Sequence, residues 1–287
     1  MFFSIIKRTF WSWWDNLSYA VFTSLLGAAN PFYLVIIAGF RWLFAEDMGF
    51  ILQYKDAFFL VLMGSILNMQ TFPTTLAAYS MQAKLIDGET KSYFREYWGE
   101  LKKLLGKGLI FTLINTTAGL LLGYSILYFR DKLVNLYPWN YILIGLSGWF
   151  IFSFLLSQFI MAPLVISDLA EKKEDRLKIG SYYMISLYWM VKKGLVMLGL
   201  AIINLLIFFI FTIPAVSPFL TVIPIFAYMG FVTTMHTWTY RYVFDDFPQG
   251  KDFPKRSVRD LFSPFSGKLR KQEAEDAEKE VAKEKDK

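Results

Sequence analysis

No cysteine occurs in the 287-residue chain, which excludes disulfides, thiolate metal sites, cysteine nucleophiles and cysteine-attached haem while leaving the compartment open. Histidine is nearly as scarce. His236 is the single one, too few for an imidazole-rich zinc site or a histidine relay. Beside Asp245 or Asp246 it could act near the cytoplasmic interface, but no nucleophile signature accompanies it, and a hydrogen-bonded helix-end histidine is the simpler reading. The sequence has no HExxH, no phosphate-binding glycine loop and no GxSxG elbow. Charged residues make up only 19%, against roughly 25% in ordinary globular chains. Acidic residues are almost missing from the long apolar runs, which argues against a carboxylate-driven proton pump and against a midmembrane two-carboxylate hydrolase.

What the chain has instead is apolar surface. Hydrophobic residues reach 55% and the mean hydropathy is +0.38, more than so few charges can cover in water. The expected fold is therefore all-α and polytopic, with six transmembrane helices at about 17–38, 57–83, 108–129, 139–166, 195–213 and 219–240. Asn30-Pro31 lies inside the first of these and predicts a kink or a pair of half-helices. The opening MFFSIIKRTFWSWWDN lacks a signal-peptide core and cleavage site, and its aromatics read as a retained interfacial helix.

Composition changes sharply near the end. Residues 1–247 read as the membrane domain and 248–287 as a membrane-proximal segment followed by a charged tail, which cannot bury a core of its own.

The basic residues orient the spans. Of 30 Lys and Arg, only Arg41, Lys55, Arg130 and Lys132 fall in links assigned to one side. The positive-inside rule then places both termini in the cytoplasm. The formal charge of +6 and pI near 9.2 fit anionic phospholipid at that face better than nucleic acid, and no nucleic-acid partner is expected.

Residues 72–111, FPTTLAAYSMQAKLIDGETKSYFREYWGELKKLLGKGLIF, form the clearest connection. Within 93–107, Phe94, Tyr97, Trp98, Leu101, Leu104 and Leu105 recur at helical spacing, while Arg95, Glu96, Glu100, Lys102 and Lys103 take the other face, which predicts an amphipathic helix at the membrane interface. Residues 162–201 repeat the order of proline-bearing exit, basic link, aromatic approach and return to apolar sequence. Trp14, Trp98 and Trp189 are followed 16, 17 and 15 residues later by Asn30, Asn115 and Asn204, and the return spans carry Pro73, Pro163 and Pro224. Three related helical hairpins with cytoplasmic interfacial helices are expected.

Buried amides in spans need partners or water. Asn30, Asn68, Gln70, Asn115, Gln158 and Asn204 are the candidate lining of a polar path, and helix packing is the alternative for each. Gly106, Gly108, Gly119 and Gly123 offer places for close helix approach. Arg95, Lys102, Lys103, Lys107, Lys192 and Lys193 form the candidate surface for a partner or for lipid.

The stretch quoted above resembles the corresponding region of the YesL-like family of uncharacterised bacterial integral membrane proteins, and WSWWDNLSYAVFTSLLGAANPF at 11–32 is similar to that family's opening helix. The likeness extends over about 10–247. The link at 40–57 and the tail after 269 are longer than the family's compact pattern. The resemblance implies a multi-pass protein of the bacterial inner membrane, with some relatives associated with carbohydrate utilisation and uptake, and it supplies no catalytic group to map. Three function classes remain: a noncatalytic membrane accessory that uses the helices at 93–107 and 182–193 to contact lipid or a partner such as a transporter component, a small-solute transporter with a polar path, and, with least support, a membrane-embedded enzyme. No cofactor is expected. Self-association is a further expectation.

Overall fold

In a computed structural model the described residues are 1–27, 29–36, 54–87, 93–170, 176–212 and 223–244. They are helical with no strand among them. Contacts divide the chain into Met1–Phe247 and Pro248–Lys287, and every described residue lies in the first unit. The expected pairing of His236 with Asp245 or Asp246 involves carboxylates outside the described residues.

The helices are α1 (Phe2–Asp15), α2 (Leu17–Gly27), α3 (Lys55–Asn68), α4 (Pro73–Asp87), α5 (Tyr93–Lys132), α6 (Trp139–Ala170), α7 (Ile179–Lys192), α8 (Gly194–Thr212) and α9 (Ile223–Phe244). Three stretches are long and apolar enough to cross a bilayer: Lys55–Asp87, Tyr93–Lys132 and Trp139–Leu169. A fourth is added if α7 and α8, bent by 96° to one another, count as one span. Among the described residues, this is the extent of the membrane-crossing helix.

The Asn30-Pro31 break appears as two pieces. Helix α2 stops at Gly27 and helix resumes at 31–36. Asn30 accepts the Phe32 N–H on Oδ1 at 3.0 Å, and Pro31 follows where its missing donor costs nothing, the usual grammar of a helix start.

Helix α4 occupies the middle. Pro73 and every residue from Thr75 to Gln82 are buried, though this helix carries Thr, Ser, Gln and Lys. The outward side chains of other helices are the apolar ones: Leu113 and Leu121 on α5, Trp149 and Phe150 on α6, and Leu195 on α8 are all exposed. Lipid demands nothing of an apolar side chain, whereas a polar group must be satisfied inside the protein. The largest core cluster joins Leu76, Tyr79 and Met81 of α4 to Tyr97, Leu104 and Phe111 of α5 and Ile160, Met161 and Val165 of α6.

Helix α5 is continuous through 40 residues. Residues 93–107 are therefore the first turns of the helix that runs on through the third apolar stretch, and no break sets them apart. Its buried face is Tyr93, Tyr97, Glu100, Leu104, Gly108, Phe111 and Asn115. Phe94 and Trp98 of the expected apolar stripe are 50% and 56% exposed, and the departure from the expected division is Glu100, placed on the polar face by its spacing but only 8% exposed. The seam with α3 and α4 is set by small residues. A Cβ on Gly108 would lie 2.7 Å from Pro73 Cγ, and one on Gly119 would lie 2.9 Å from the Gly64 Cα. Gly123 has Leu60 at 3.1 Å, while Gly106 meets nothing within 4 Å.

At the start of the chain, α1 lies on α9. Ile5 and Thr9 are buried, Trp238 Nε1 donates to Ser12 Oγ at 2.9 Å, and the Arg8 guanidinium stands 5.1 Å from the Trp238 ring centre. Phe3, Phe10, Trp11 and Trp14 stay exposed.

Candidate functional site

Pro73 has no N–H, so the carbonyl four residues earlier, at Met69, loses the donor a continuous helix would supply. The chain breaks there, between α3 and α4. Asn30 fills the gap: its Nδ2 donates to Met69 O at 3.0 Å and to Thr75 Oγ1 at 2.9 Å. From the other side Asn115 Nδ2 donates to Leu67 O at 3.0 Å and Thr71 Oγ1 at 2.6 Å, while its Oδ1 accepts from Tyr183 OH at 2.7 Å. Side-chain amides from two separate segments thus complete the backbone of a broken helix.

The other expected path residues are distributed around this break. Asn68 Nδ2 donates to Gly64 O at 2.8 Å and Thr116 Oγ1 at 2.7 Å. Gln70 accepts from the Tyr79 hydroxyl, which also meets His236 Nδ1. Asn204 accepts from Tyr228 OH at 2.6 Å. Gln158 Nε2 reaches only the Met161 sulfur, at 3.8 Å. Asn30 and Asn115 therefore meet at the α3–α4 break, and the third repeated asparagine binds α9 instead.

Tyr79 connects this buried layer to a cavity of about 1040 Å³ between α4, α5, α6 and α9. Its walls are charged. Lys84 and Asp87 come from α4, Glu100 and Lys103 from α5, Asp168 from the end of α6, Arg176 from the segment after it, and Arg241 from α9. Hydroxyls of Tyr79, Ser80, Ser167, Thr237 and Tyr240 and the apolar Ala83, Pro163, Leu164, Ile166, Leu169 and Leu177 complete the described lining. Along α4, Tyr79 precedes Asp87 by two turns, and along α9 Thr237 precedes Arg241 by one, so hydroxyl and apolar groups form the inner end and most of the charge the outer.

Each described carboxylate in the wall is engaged. Glu100 Oε1 accepts from Lys84 Nζ at 3.0 Å and Lys103 Nζ at 2.8 Å, and Oε2 accepts from Ser80 Oγ at 3.0 Å. Burial works to raise the Glu100 pKa, but the Lys103, Lys84 and Ser80 bonds outweigh it and hold the carboxyl below its ordinary value. This residue sits in the charged first turns of α5, ahead of the apolar stretch that begins at Gly108. One nitrogen of Arg241 donates to both oxygens of Asp87, at 2.7 and 2.8 Å. Asp168 accepts from Lys107 Nζ at 3.2 Å, from the Leu177 N–H at 2.9 Å and from Tyr182 OH. Arg176 donates to Leu169 O at 3.0 Å.

The expected partner surface divides in two. Lys103 lines the cavity and Lys107 braces it from behind through Asp168. Arg95, Lys102 and Lys192 are exposed, with Lys192 lying 4.5 Å from the Trp189 ring centre, and Lys193 beside it is half-buried. The described cavity lining includes none of the six path amides. Sequence reasoning does not single out Ser80, Lys84, Asp87, Glu100, Asp168, Arg176 or Arg241 as a group. The one available signal is that carboxylates recur among the basic links.

Among the buried polar atoms that lack a hydrogen-bond partner in the described residues are both ends of the Gln82 amide, Gln158 Oε1 and His236 Nε2. They lie on α4, α6 and α9, the helices that also wall the cavity. Across its length the chain matches no protein-family model, no curated protein and no solved structure.

Proposed function

We propose that the chain is a noncatalytic membrane accessory protein that engages a partner or polar ligand through the charged cavity. In this reading it crosses the bacterial inner membrane six times as three hairpins. Both termini are cytoplasmic, and α7 and the outer turns of α5 lie at the anionic lipid surface. The cavity cations Lys84, Lys103, Arg176 and Arg241 then all belong to the cytoplasmic face under the positive-inside rule. A transporter component is the proposed partner, and self-association is compatible with the same surface. The tie to carbohydrate uptake rests on the resemblance to YesL-like proteins alone.

The observation that carries this reading is the state of the cavity carboxylates. A general acid or base needs a proton site free to face a substrate. Here Glu100, Asp87 and Asp168 are each held by donors from the wall itself, which makes the wall a fixed pattern of charge suited to recognition.

A second reading, small-solute transport, draws on Gln82, Gln158 and His236. Incompletely satisfied polar atoms at this depth are costly, and a solute path continuing inward from Tyr79 would give them partners. One preparation tests both readings: the full chain is purified from bacterial membranes in mild detergent, its copurifying proteins are identified, and flux is measured after reconstitution. A stable complex with a transporter component and no autonomous flux is the expected result. Solute-specific flux by the purified chain alone would replace the accessory reading with the transporter one.

A further inference from the structure

Among the described residues the cavity wall carries more cationic side chains than carboxylates, and that balance defines what fits it. An ammonium group carries three donors and no acceptor, and a guanidinium five and none. Lys84 and Lys103 both donate to the same oxygen of Glu100, at 3.0 and 2.8 Å, so two positive charges share one negative one at that wall. Ser80 occupies the second oxygen, and the carboxylate is left with little to offer a ligand. Across the cavity Arg241 is fixed on Asp87 and stands 5.6 Å from the Trp238 ring centre. Arg176 is positioned by the Leu169 carbonyl.

Lys84 and Lys103 line the cavity from α4 and α5, and Arg176 and Arg241 line it from the segment after α6 and from α9, while each described carboxylate of the wall already accepts hydrogen bonds from protein donors. A cation finds its carboxylates taken. A neutral polyol can bond the wall hydroxyls but gains nothing from the excess of cations over carboxylates among the described lining residues. An oxyanion has acceptors only, and a tetrahedral one can take bonds from several walls at once.

We propose that this cavity binds a phosphate-bearing ligand, with the phosphate held between Lys84 and Lys103 on one side and Arg176 and Arg241 on the other. Its organic part extends toward the hydroxyls of Tyr79 and Thr237. The proposal rests on the reading of the cavity as a recognition site and adds the chemistry of the ligand. Two sources share this chemistry: the headgroup of an anionic phospholipid and a soluble phosphate ester.

The test uses the full chain in a phosphate-free maltoside detergent. Glycerol 1-phosphate binding is measured by isothermal titration, and retention of phosphatidylglycerol over phosphatidylcholine by native mass spectrometry from mixed nanodiscs. Binding of glycerol phosphate identifies a soluble ester, and selective retention of phosphatidylglycerol without it identifies a lipid headgroup. In either case the double variant Lys84→Gln, Lys103→Gln is expected to weaken binding about tenfold or more, with Lys84→Arg, Lys103→Arg retaining most of it. Lys102→Gln, exposed on α5, should change nothing. The Lys103 side chain is 68% exposed, so Lys103→Gln alone keeps the fold and gives a second, smaller loss if the double variant does not purify.

Binding of neither probe by the wild type, or equal binding by wild type and the lysine variants, overturns the proposal. If a transporter component copurifies but neither phosphate probe binds, the ligand assignment falls and the accessory reading stands. If phosphate binds and no partner copurifies, the reverse holds.

Discussion

Residues 93–132 and 179–212 both lead from an aromatic approach into an apolar stretch, yet they are built differently. In the first, approach and apolar stretch form one helix, whereas in the second the chain is cut at Lys193 and α7 meets α8 at 96°. Both junctions contain lysine next to glycine, Gly106-Lys107-Gly108 in one and Lys193-Gly194 in the other. Local sequence therefore does not decide the outcome. The neighbours do: α5 is pressed along its length against Pro73, Gly64 and Leu60 through Gly108, Gly119 and Gly123. At the second junction Gly194 meets nothing within 4 Å, and farther along α8 the nearest atoms to Gly199 belong to the ring of Phe2. With no close backbone contact at Gly194, α7 ends in a Lys193 cap at φ −120° and ψ 23°.

The largest effect should come from breaking the seam. Gly119→Val drives a side chain into backbone 2.9 Å away and should cost about 3 kcal/mol, read as a lower melting temperature and poorer folded yield in detergent. Gly106→Val, facing open space, is the matched control; equal losses at the two positions would remove the seam as the cause. Next comes the amide of the same helix. Asn115→Ala leaves the Leu67 carbonyl and the Tyr183 hydroxyl without their partner and should cost about 1.5 kcal/mol. Asn204→Ala gives up a single bond from Tyr228 and should cost about half as much.

Smaller still is the effect at the bend itself. Gly194→Ala should stay within about 0.5 kcal/mol of wild type, and the 96° angle should survive it. Because the chain has no cysteine, spin labels on introduced cysteines at Met184 and Ile202 report the angle cleanly. A straight helix would put those positions about 27 Å apart. A distance well below that is expected, and a peak at the straight-helix value would erase the contrast between the two junctions.

The mildest effect concerns acid. Glu100 has a carboxyl held below its ordinary value, so its contribution to stability is complete above the usual carboxylate range and is lost as pH falls through the lowered value. Melting temperature should drop across that acid window, and Glu100→Gln should flatten the drop. An unchanged slope in the variant would show that the Lys84 and Lys103 bonds do not hold the outer turns of α5.

How far these features are legible in the sequence depends on the range of the interaction. The all-helical class and the apolar stretches follow from composition and run length. Six crossings do not follow so directly, and three or four stretches among the described residues pass as spans. The orphaned carbonyl at Met69 is implied by Pro73 alone, since proline cannot donate. That Asn30 would supply the donor is a contact across 39 residues and leaves no local trace. The polar face expected on α5 misleads at Glu100 for a related reason. In water, apolar periodicity marks the buried face, but beside lipid Phe94 and Trp98 can point outward at no cost, and the protein interior takes Glu100 because Ser80 and Lys84 wait for it there. The cavity is hidden in the sequence because its residues lie on α4, α5, α6 and α9, and only packing brings them together.

The repair of the α3–α4 break also has an order in time. A polypeptide is made from its amino end, so Asn30 exists before Met69 and Pro73 do, and Asn115 only after them. One missing donor can be replaced as soon as the broken helix emerges; the Leu67 carbonyl must wait until the following helix has been synthesised. Biogenesis therefore passes through a half-repaired stage, and a chain halted between 87 and 115 should be the species most readily captured by the cell's membrane quality control.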